Sequence, residues 1–425
     1  MKMGRCLGWL LVLLMVDTVA AETLEQAWEI ALRADHRLDA AREDSAAAAE
    51  SLRAAQAARL PRVAVQAGYS MLDTEPAARA NLGPAPLQFP VAEKNSLSWQ
   101  AMATLPLYTS GRIRAGIEAA GAALRASQTR EAGEMLALKL RVAEAYVNVL
   151  RARRAVAVAG SHVGSLESHA QDAANLHDQG MVPRNDLLAA QVALADARQG
   201  AIKANNALDL ARSAYNRLLG RPLEQAVVLA DLQPDAIADP LPQLTRRALD
   251  QRPELRVLQE RIQALQRQAA AIRAESGPQL ALSGGYGYQQ NRYQVHEGQW
   301  RVELGMQWQL IDGGLTRHRA SAAGRQAAAL QAQYDDLRSL VELEVRQQWL
   351  AVGETRQRIG VTEQAVAQAE ENLRVNRERY ENGLATNSEV LDAETLRTLS
   401  ESNHANAIYD AVVAALRLKR AVGEL

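Results

Sequence analysis

The sequence is poor in aromatic residues. Only 4% of its 425 residues are aromatic, and Phe89 is the single phenylalanine, although 48% of the chain is apolar. Compact cores usually contain more of the large apolar side chains. Alanine recurs throughout instead, and it favours helices and lets neighbouring backbones approach closely. The composition therefore predicts long helices packed side by side.

Cysteine is almost absent too, and Cys6 is the only one. It lies in residues 1–21, where two basic residues, a short apolar run and small residues precede Glu22. This pattern predicts a secretory signal cut after Ala20 or Ala21, since the apolar run is too short to span a bilayer. Because Cys6 would leave with the signal, we expect no disulfide, thiol catalyst or cysteine metal site in the exported chain.

Neither sign of charge is in excess. The 48 basic and 49 acidic residues give a net charge of -1, and they are interspersed without a sustained basic block. This distribution excludes the electrostatic footprint of a nucleic-acid-binding protein. No later segment is apolar enough for a membrane-spanning helix, so entry into a membrane would require a closed β-barrel.

The chain contains an internal duplication. Residues 24–32 match residues 241–249, Pro61 matches Pro278, and Gly180 matches Gly383. We therefore expect a first repeat over residues 22–220, a linker over 221–240 and a second repeat over 241–425. The first repeat has extra residues in segment 72–94, which its proline and turn formers predict to be a loop.

The sequence pattern of each repeat predicts the same elements in order: a helix, two strands, a very long helix, a turn marked by glycine and a final helix. The long helices are expected from about Arg112 to Gln179 and from about Leu315 to Asn382. An apolar stripe runs along both of them, and a plain coiled coil would show the same stripe. Its residues are Leu138, Val142 and Tyr146 in the first helix and Val341, Val345 and Trp349 in the second.

Four segments alternate apolar and polar residues as strands do. The clearest runs from Trp300 to Leu310, and others cover residues 63–69, 97–107 and 280–288. A soluble sandwich could show this alternation, but segments of this length are also typical of membrane barrels. Four strands cannot close around a lumen, so several chains would have to pool them. The scarce aromatics concentrate here and predict a girdle at the membrane interface, formed by Trp99, Tyr108, Tyr286, Tyr288, Trp300 and Trp308.

The whole mature chain, from TLEQAWEIAL to ERYENGLATNSEVLDAE in the second repeat, resembles the TolC-type outer-membrane efflux proteins. The resemblance implies a mainly α-helical, trimeric channel-tunnel in the outer membrane of a Gram-negative bacterium. Four strands per chain would form a 12-stranded β-barrel, joined to a long α-helical barrel in the periplasm. The linker and the C-terminal end would form an equatorial layer.

The resemblance also assigns site residues. Gly180, Met181, Gly383 and Leu384 would be the tips that contact a periplasmic adaptor, although simple helix capping also explains the glycines. Thr386 and Glu389 fit a capping box. Glu389 and Asp392 would form acidic rings at the periplasmic entrance, or they would only favour the helix dipole. Tyr380 and Asp186 would form a gate latch, and Ala385 replaces the arginine of that latch.

The implied function is a passive exit duct without catalytic residues, cofactors or a bound metal. Its partners would be two further copies of itself, an adaptor (membrane fusion) protein, an inner-membrane pump or ABC transporter, and outer-membrane lipid. The resemblance implies three alternative classes of cargo, which are small molecules, metal ions and secreted protein.

Two other classes of protein are weighed against the duct. A periplasmic coiled-coil scaffold or adaptor would explain the helices but not the strands. An enzyme would be expected to contain catalytic motifs, and the usual ones are absent from this sequence. The seven histidines lie on polar stretches and are interpreted as surface residues: His36, His162, His169, His177, His296, His318 and His404.

Overall fold

The computed structural model describes residues 21–81, 86–235 and 239–425. The described residues form eight α-helices and six β-strands. The helices are α1 (Leu24–Ala34), α2 (His36–Ala57), α3 (Arg112–Asp178), α4 (Arg184–Leu218), α5 (Leu241–Gln251), α6 (Pro253–Arg273), α7 (Leu315–Glu381) and α8 (Asn387–Val422). The strands are β1 (Arg62–Met71), β2 (Ala77–Ala80), β3 (Leu87–Pro90), β4 (Asn95–Tyr108), β5 (Gln279–Gln289) and β6 (Gly298–Gln307). Within these ranges, no helix combines the length and the apolarity that crossing a bilayer requires. The predicted signal lies mostly outside the described residues.

The two long helices confirm the sequence prediction closely. Both α3 and α7 have 67 residues, and each begins at the predicted residue and ends one residue before the predicted one. Two local predictions are wrong. The first helix is divided into α1 and α2, because Asp35 has an extended backbone conformation. Segment 72–94 is not only a loop, since β2 and β3 pair antiparallel within it.

The chain divides into two compact units, each drawn from both halves of the sequence. One unit consists of Met1–His36, Met135–Ala248 and Leu343–Leu425, and the other of Arg37–Glu134 and Leu249–Glu342. The second unit contains an antiparallel sheet in the order β1-β4-β5-β6. The edge strand β6 ends at Gln307. The alternation of apolar and polar residues continues to Leu310, so it predicted a strand that is three residues too long at this end.

Aromatic side chains form a row across three strands of this sheet. Trp99 on β4 pairs with Tyr288 on β5, and Tyr286 pairs with Trp300 on β6. The ring centroids of Trp99 and Tyr286 are 5.5 Å apart, and those of Tyr286 and Trp300 are 5.4 Å apart. Contacts of this kind stabilise a particular strand register. Gln100 donates a hydrogen bond to Gln66 at 2.7 Å, so polar side chains also meet across the strands.

The other unit has a helical core rich in alanine and valine. The predicted stripe is buried in α3 at Leu138, Val142 and Tyr146, as expected, but in α7 only Val341 and Val345 are buried while Trp349 is exposed. The hydroxyl oxygen of Tyr146 lies 2.7 Å from the backbone carbonyl oxygens of both Glu22 and Ala230, and it donates its one proton to either of them. A buried tyrosine is thereby satisfied, as such groups usually are.

The close approach of β4 to β5 generates a stability prediction. A Cβ atom at Gly285 would lie 2.0 Å from the carbonyl oxygen of Ala101, whereas one at Gly284 would meet its nearest atom at 3.7 Å. We expect Gly285→Ala to destabilise the sheet by about 1–3 kcal/mol through overpacking. Gly284→Ala is the matched control and should change stability much less. Tryptophan fluorescence during thermal unfolding checks this, and equal unfolding temperatures for the two variants would contradict it.

Candidate functional site

Two turns with the same geometry connect the long helices to their successors. Gly180 follows α3 with φ +74°, and Gly383 follows α7 with φ +73°. In the first turn, the N–H of Met181 donates to the carbonyl of Leu176, and in the second the N–H of Leu384 donates to the carbonyl of Arg379. Such bonds complete a helix C-terminus whose left-handed residue is best supplied by glycine. The capping role of both glycines is confirmed, and adaptor contact stays a prediction.

Each turn exposes one large apolar side chain. Met181 is 59% exposed and Leu384 is 69% exposed, and each directly follows its glycine. A single exposed apolar residue is ordinary on a protein surface. What distinguishes this pair is its equivalent position in two turns of the same geometry.

The start of α8 departs from the predicted capping box. Thr386 is the N-cap and its hydroxyl accepts a hydrogen bond from the N–H of Glu389 at 3.4 Å. The Glu389 carboxylate does not complete the box but lies 3.7 Å from Nη1 of Arg379. The Nη2 of Arg379 also donates to the carbonyl of Leu384 at 3.0 Å. Arg379 therefore connects the second turn to one of the two predicted entrance acids.

The two entrance acids lie on the exposed side of α8. Glu389 and Asp392 are three residues apart on the helix, so their side chains lie on neighbouring positions of one face. Both are exposed. Within the described part of the chain, Glu389 has an ion-pair partner in Arg379 and Asp392 has none.

The predicted latch pair lies close together without a hydrogen bond. Tyr380 is buried in a cluster with Leu373, Val390 and Ala393, against which Ala385 packs. Its hydroxyl makes no hydrogen bond with any described residue. Burial raises the pKa of Tyr380, and the negative charge of nearby Asp186 raises it further. The latch stays a prediction, and this structure does not contain its bond.

Sequence reasoning missed a buried bond between histidine and asparagine. His169 is only 2% exposed, so its interpretation as a surface residue is wrong. Its Nε2 lies 2.7 Å from Oδ1 of Asn387, the first residue of α8. The Nδ2 of Asn387 donates to the backbone carbonyl of Asp186 at 3.2 Å. Asn387 therefore contacts both α3 and α4.

A buried carboxylate forms a second missed group. Glu394 is fully buried, and it accepts hydrogen bonds from Ser165 on α3 and from Arg377 on α7. Arg397 lies 3.4 Å from it and His162 lies 3.8 Å from it. Burial raises the pKa of the Glu394 carboxyl, but the hydrogen bonds and charges of these four partners outweigh it and lower that pKa to about 2. Glu394 is therefore ionised inside the protein.

The spacing of α8 contains the signal for this group. Asn387, Val390, Glu394 and Arg397 recur at intervals of three and four residues, which is the period of one helix face. Because Val390 is buried, that period assigns the two polar anchors to the same buried side. Sequence alone does not supply their partners on α3 and α4, which are 201 to 229 residues away.

The described residues contain no cluster of three or more histidine, cysteine or acidic side chains with the geometry of a metal site. The site consists of two turns, an exposed acidic pair and two buried polar anchors.

A family model described as outer membrane efflux protein matches residues 28–221 and 244–424 of this chain. The chain belongs to the outer membrane efflux protein family.

Individual relatives agree with this assignment. Outer membrane protein TolC of Vibrio cholerae is 25% identical over 426 residues, which cover 96% of this chain and 92% of the relative. Protein CyaE of Bordetella pertussis is 27% identical over 339 residues, covering 78% of this chain and 70% of the relative. Among solved structures, the outer membrane protein VceC of Vibrio cholerae superposes with a TM-score of 0.80 at 20% identity, covering 94% of this chain and 96% of that one.

These findings confirm the predicted family, the mainly helical fold with a four-stranded sheet, and the location in the outer membrane of a Gram-negative bacterium. The family member described here is an outer-membrane efflux channel.

The buried carboxylate generates a pH-dependent prediction. Since the pKa of Glu394 is lowered on folding, its contribution is complete above the ordinary value near 4.5 and is lost as the pH falls towards 2. Glu394→Gln should therefore cost on the order of 3 kcal/mol at pH 7. That gap should narrow towards about pH 3.

Guanidinium unfolding at several pH values measures the gap. Glu378→Gln is the control, because Glu378 is an exposed partner of Arg374 and should contribute little. A gap for Glu394→Gln that stays constant between pH 7 and acid would contradict the assignment.

Proposed function

We propose that this chain is one protomer of a homotrimeric exit duct that carries solutes from an inner-membrane pump across the periplasm and the outer membrane. The observation that supports this most directly is the four-stranded sheet, which is incomplete in a single chain. The duct is passive, since an inner-membrane pump or ABC transporter supplies the energy and a periplasmic adaptor joins the two. The cargo class is small molecules, metal ions or secreted protein.

The sheet has two open edges. In the order β1-β4-β5-β6, the outer sides of β1 and β6 pair with no other described strand. Each of these strands has 10 residues, and β1 is exposed along its whole length. Long open edges attract further strands, and inside a membrane they are not tolerated. Pairing β6 of one copy with β1 of the next would satisfy both.

One face of the sheet requires an apolar environment. On β6, Trp300 is 79% exposed and Val302 is 78% exposed, and Leu304 and Met306 follow on the same face. Water does not favour such a patch, whereas lipid does. The alternate residues of β6, including Arg301 and Glu303, are polar and would line a lumen. The proposed aromatic girdle at the lipid boundary consists of Trp99, Tyr108, Tyr286, Tyr288, Trp300 and Trp308.

Three copies are the number that the strand count favours. Four strands per chain cannot enclose a lumen, whereas a barrel of about twelve can. In this assembly the first repeat (22–220) and the second (241–425) each contribute two strands, and the linker 221–240 belongs to the equatorial layer. Solved structures that share this fold include outer-membrane channels, which supports the duct over a soluble scaffold.

Fractionation tests the assembly. We expect the protein in outer-membrane fractions, running as a trimer on an unboiled gel and as a monomer after boiling, because inter-chain strand pairing survives detergent better than exposed contacts do. A strand-disrupting proline in β6, Val302→Pro, should abolish the trimer band, and Arg184→Ala outside the sheet is the control. Recovery of the wild-type protein as a soluble periplasmic monomer would refute the duct.

Glu389 and Asp392 are proposed to narrow the periplasmic entrance as acidic rings. The turns at Gly180–Met181 and Gly383–Leu384 are proposed to contact the adaptor. The ion pair with Arg379 partly neutralises Glu389. Asp392, which has no such partner among the described residues, would therefore dominate the attraction for cations.

This asymmetry gives a selectivity prediction. Asp392→Asn should lower the cation-to-anion permeability ratio by about two- to fivefold, since a charge about 4–8 Å from a passing ion is worth about 0.5–1 kcal/mol in water. Glu389→Gln should lower it less, and Arg379→Ala should raise it. Reversal potentials in planar bilayers measure the ratio, and Glu371→Gln on the exposed side of α7 is the control. Unchanged selectivity in Asp392→Asn would exclude it from the entrance.

A further inference from the structure

The two missed anchors enclose the acidic pair along α8. Asn387 and Glu394 are seven residues apart, which is about two helical turns, so they lie on one face. Glu389 and Asp392 lie between them in sequence and on the exposed face. The bonds that hold Asn387 and Glu394 in place therefore also determine the position of Glu389 and Asp392.

Asn387 uses both ends of its amide on other helices. Its Oδ1 is 2.7 Å from His169 on α3, and its Nδ2 donates to the carbonyl of Asp186 on α4 at 3.2 Å. Because the amide oxygen is an acceptor, the His169 Nε2 must be the donor. A side chain at the start of α8 thus joins three helices through two buried hydrogen bonds.

Glu394 acts in the same way two turns later. It accepts from Ser165 on α3 and from Arg377 on α7, while Arg377 also donates to the hydroxyl and the carbonyl of Ser165. Arg397 pairs with the second carboxylate oxygen at 3.4 Å. Removing one partner of such a buried group leaves an uncompensated charge, which costs far more than an exposed pair.

The predicted latch makes fewer polar contacts than the two anchors do. The Tyr380 hydroxyl is buried without a hydrogen-bond partner among the described residues, and Ala385 contributes only apolar contact. The hydrogen bonds of Asn387 and Glu394 connect α8 to its neighbours here instead. Such bonds are either made or broken, so they suit an element with two discrete arrangements.

We propose that Asn387 and Glu394 are positioning residues that hold the Glu389–Asp392 segment of α8 against α3 and α4, and that release of their bonds is the step that widens the entrance. The proposal rests on the duct function, in which these two acids line the constriction. It assigns the restraint on the entrance to the anchors rather than to the Tyr380 hydroxyl.

Single-channel recording of the purified trimer tests this. Asn387→Ala removes two cross-helix bonds, and we expect the open probability to rise about tenfold, since the net value of one to two hydrogen bonds is about a factor of ten in an equilibrium constant. Asn376→Ala is the matched control, because the side chain of Asn376 bonds, within the described part of the chain, only to Asn372 on the same helix. Tyr380→Phe should stay close to wild type.

Glu394→Gln provides the second variant. It retains an acceptor for Ser165 but removes the charge that pairs with Arg377 and Arg397, so it should also increase opening, whereas Glu378→Gln should not. The trimer band on an unboiled gel is recorded for every variant. A merely structural role would lower the melting temperature of the trimer and leave the open probability of the channels that form unchanged, and that result would overturn the proposal.

A double-mutant cycle tests positioning directly. Block of the current by Mg²⁺ should weaken in Asn387→Ala, and this change should disappear when Asp392→Asn is already present, because the two residues act through one site. Independent, additive effects would overturn the proposal, as would opening by Tyr380→Phe alone. If wild-type protein forms no pores at all, the duct function itself fails, which is a separate result.

Discussion

Backbone hydrogen bonding along the outer edges of β1 and β6 is the requirement on which the rest of the molecule depends. Within the described residues, neither edge has a partner strand. In an apolar medium each unsatisfied backbone group costs several kcal/mol, so a sheet of this kind is stable there only when it closes. The apolar side chains of β6 are exposed and likewise favour an apolar environment. In the proposed trimer, the neighbouring copies would supply the strands that these two edges lack.

The helical unit meets a different difficulty. Its core is built from small side chains, including Ala143, Ala173 and Ala190, which pack closely but offer little shape to define one register between helices. Buried polar groups supply that definition, since a hydrogen bond or an ion pair in a dry interior is satisfied in one arrangement only. Asn387 and Glu394 have this role on α8.

The sequence predicted the regular elements well and their polar contacts poorly. The bounds of α3 and α7 followed from periodicity and from Gly180 and Gly383, because a left-handed turn is a local property. Strand alternation identified β4, β5 and most of β6, but it could not recognise the β2–β3 pair, whose short strands carry little pattern. The burial of His169 was missed, because it depends on Asn387, which is distant in sequence. Tyr380 and Asp186 were predicted to bond, but burial in an apolar cluster leaves the hydroxyl without a hydrogen-bond partner among the described residues.

The twin glycine turns also bear on how such a chain can evolve. Their shape is set by the glycine and by backbone hydrogen bonds, including those from Met181 and Leu384 to earlier carbonyls. No side-chain atom of Met181 or Leu384 is required for that shape. Under the proposed adaptor contact, substitution at these two positions would alter what the turns recognise at almost no cost to folding. Recognition and architecture would then be under separate selection, and a lineage could change its binding partner while its scaffold stays fixed.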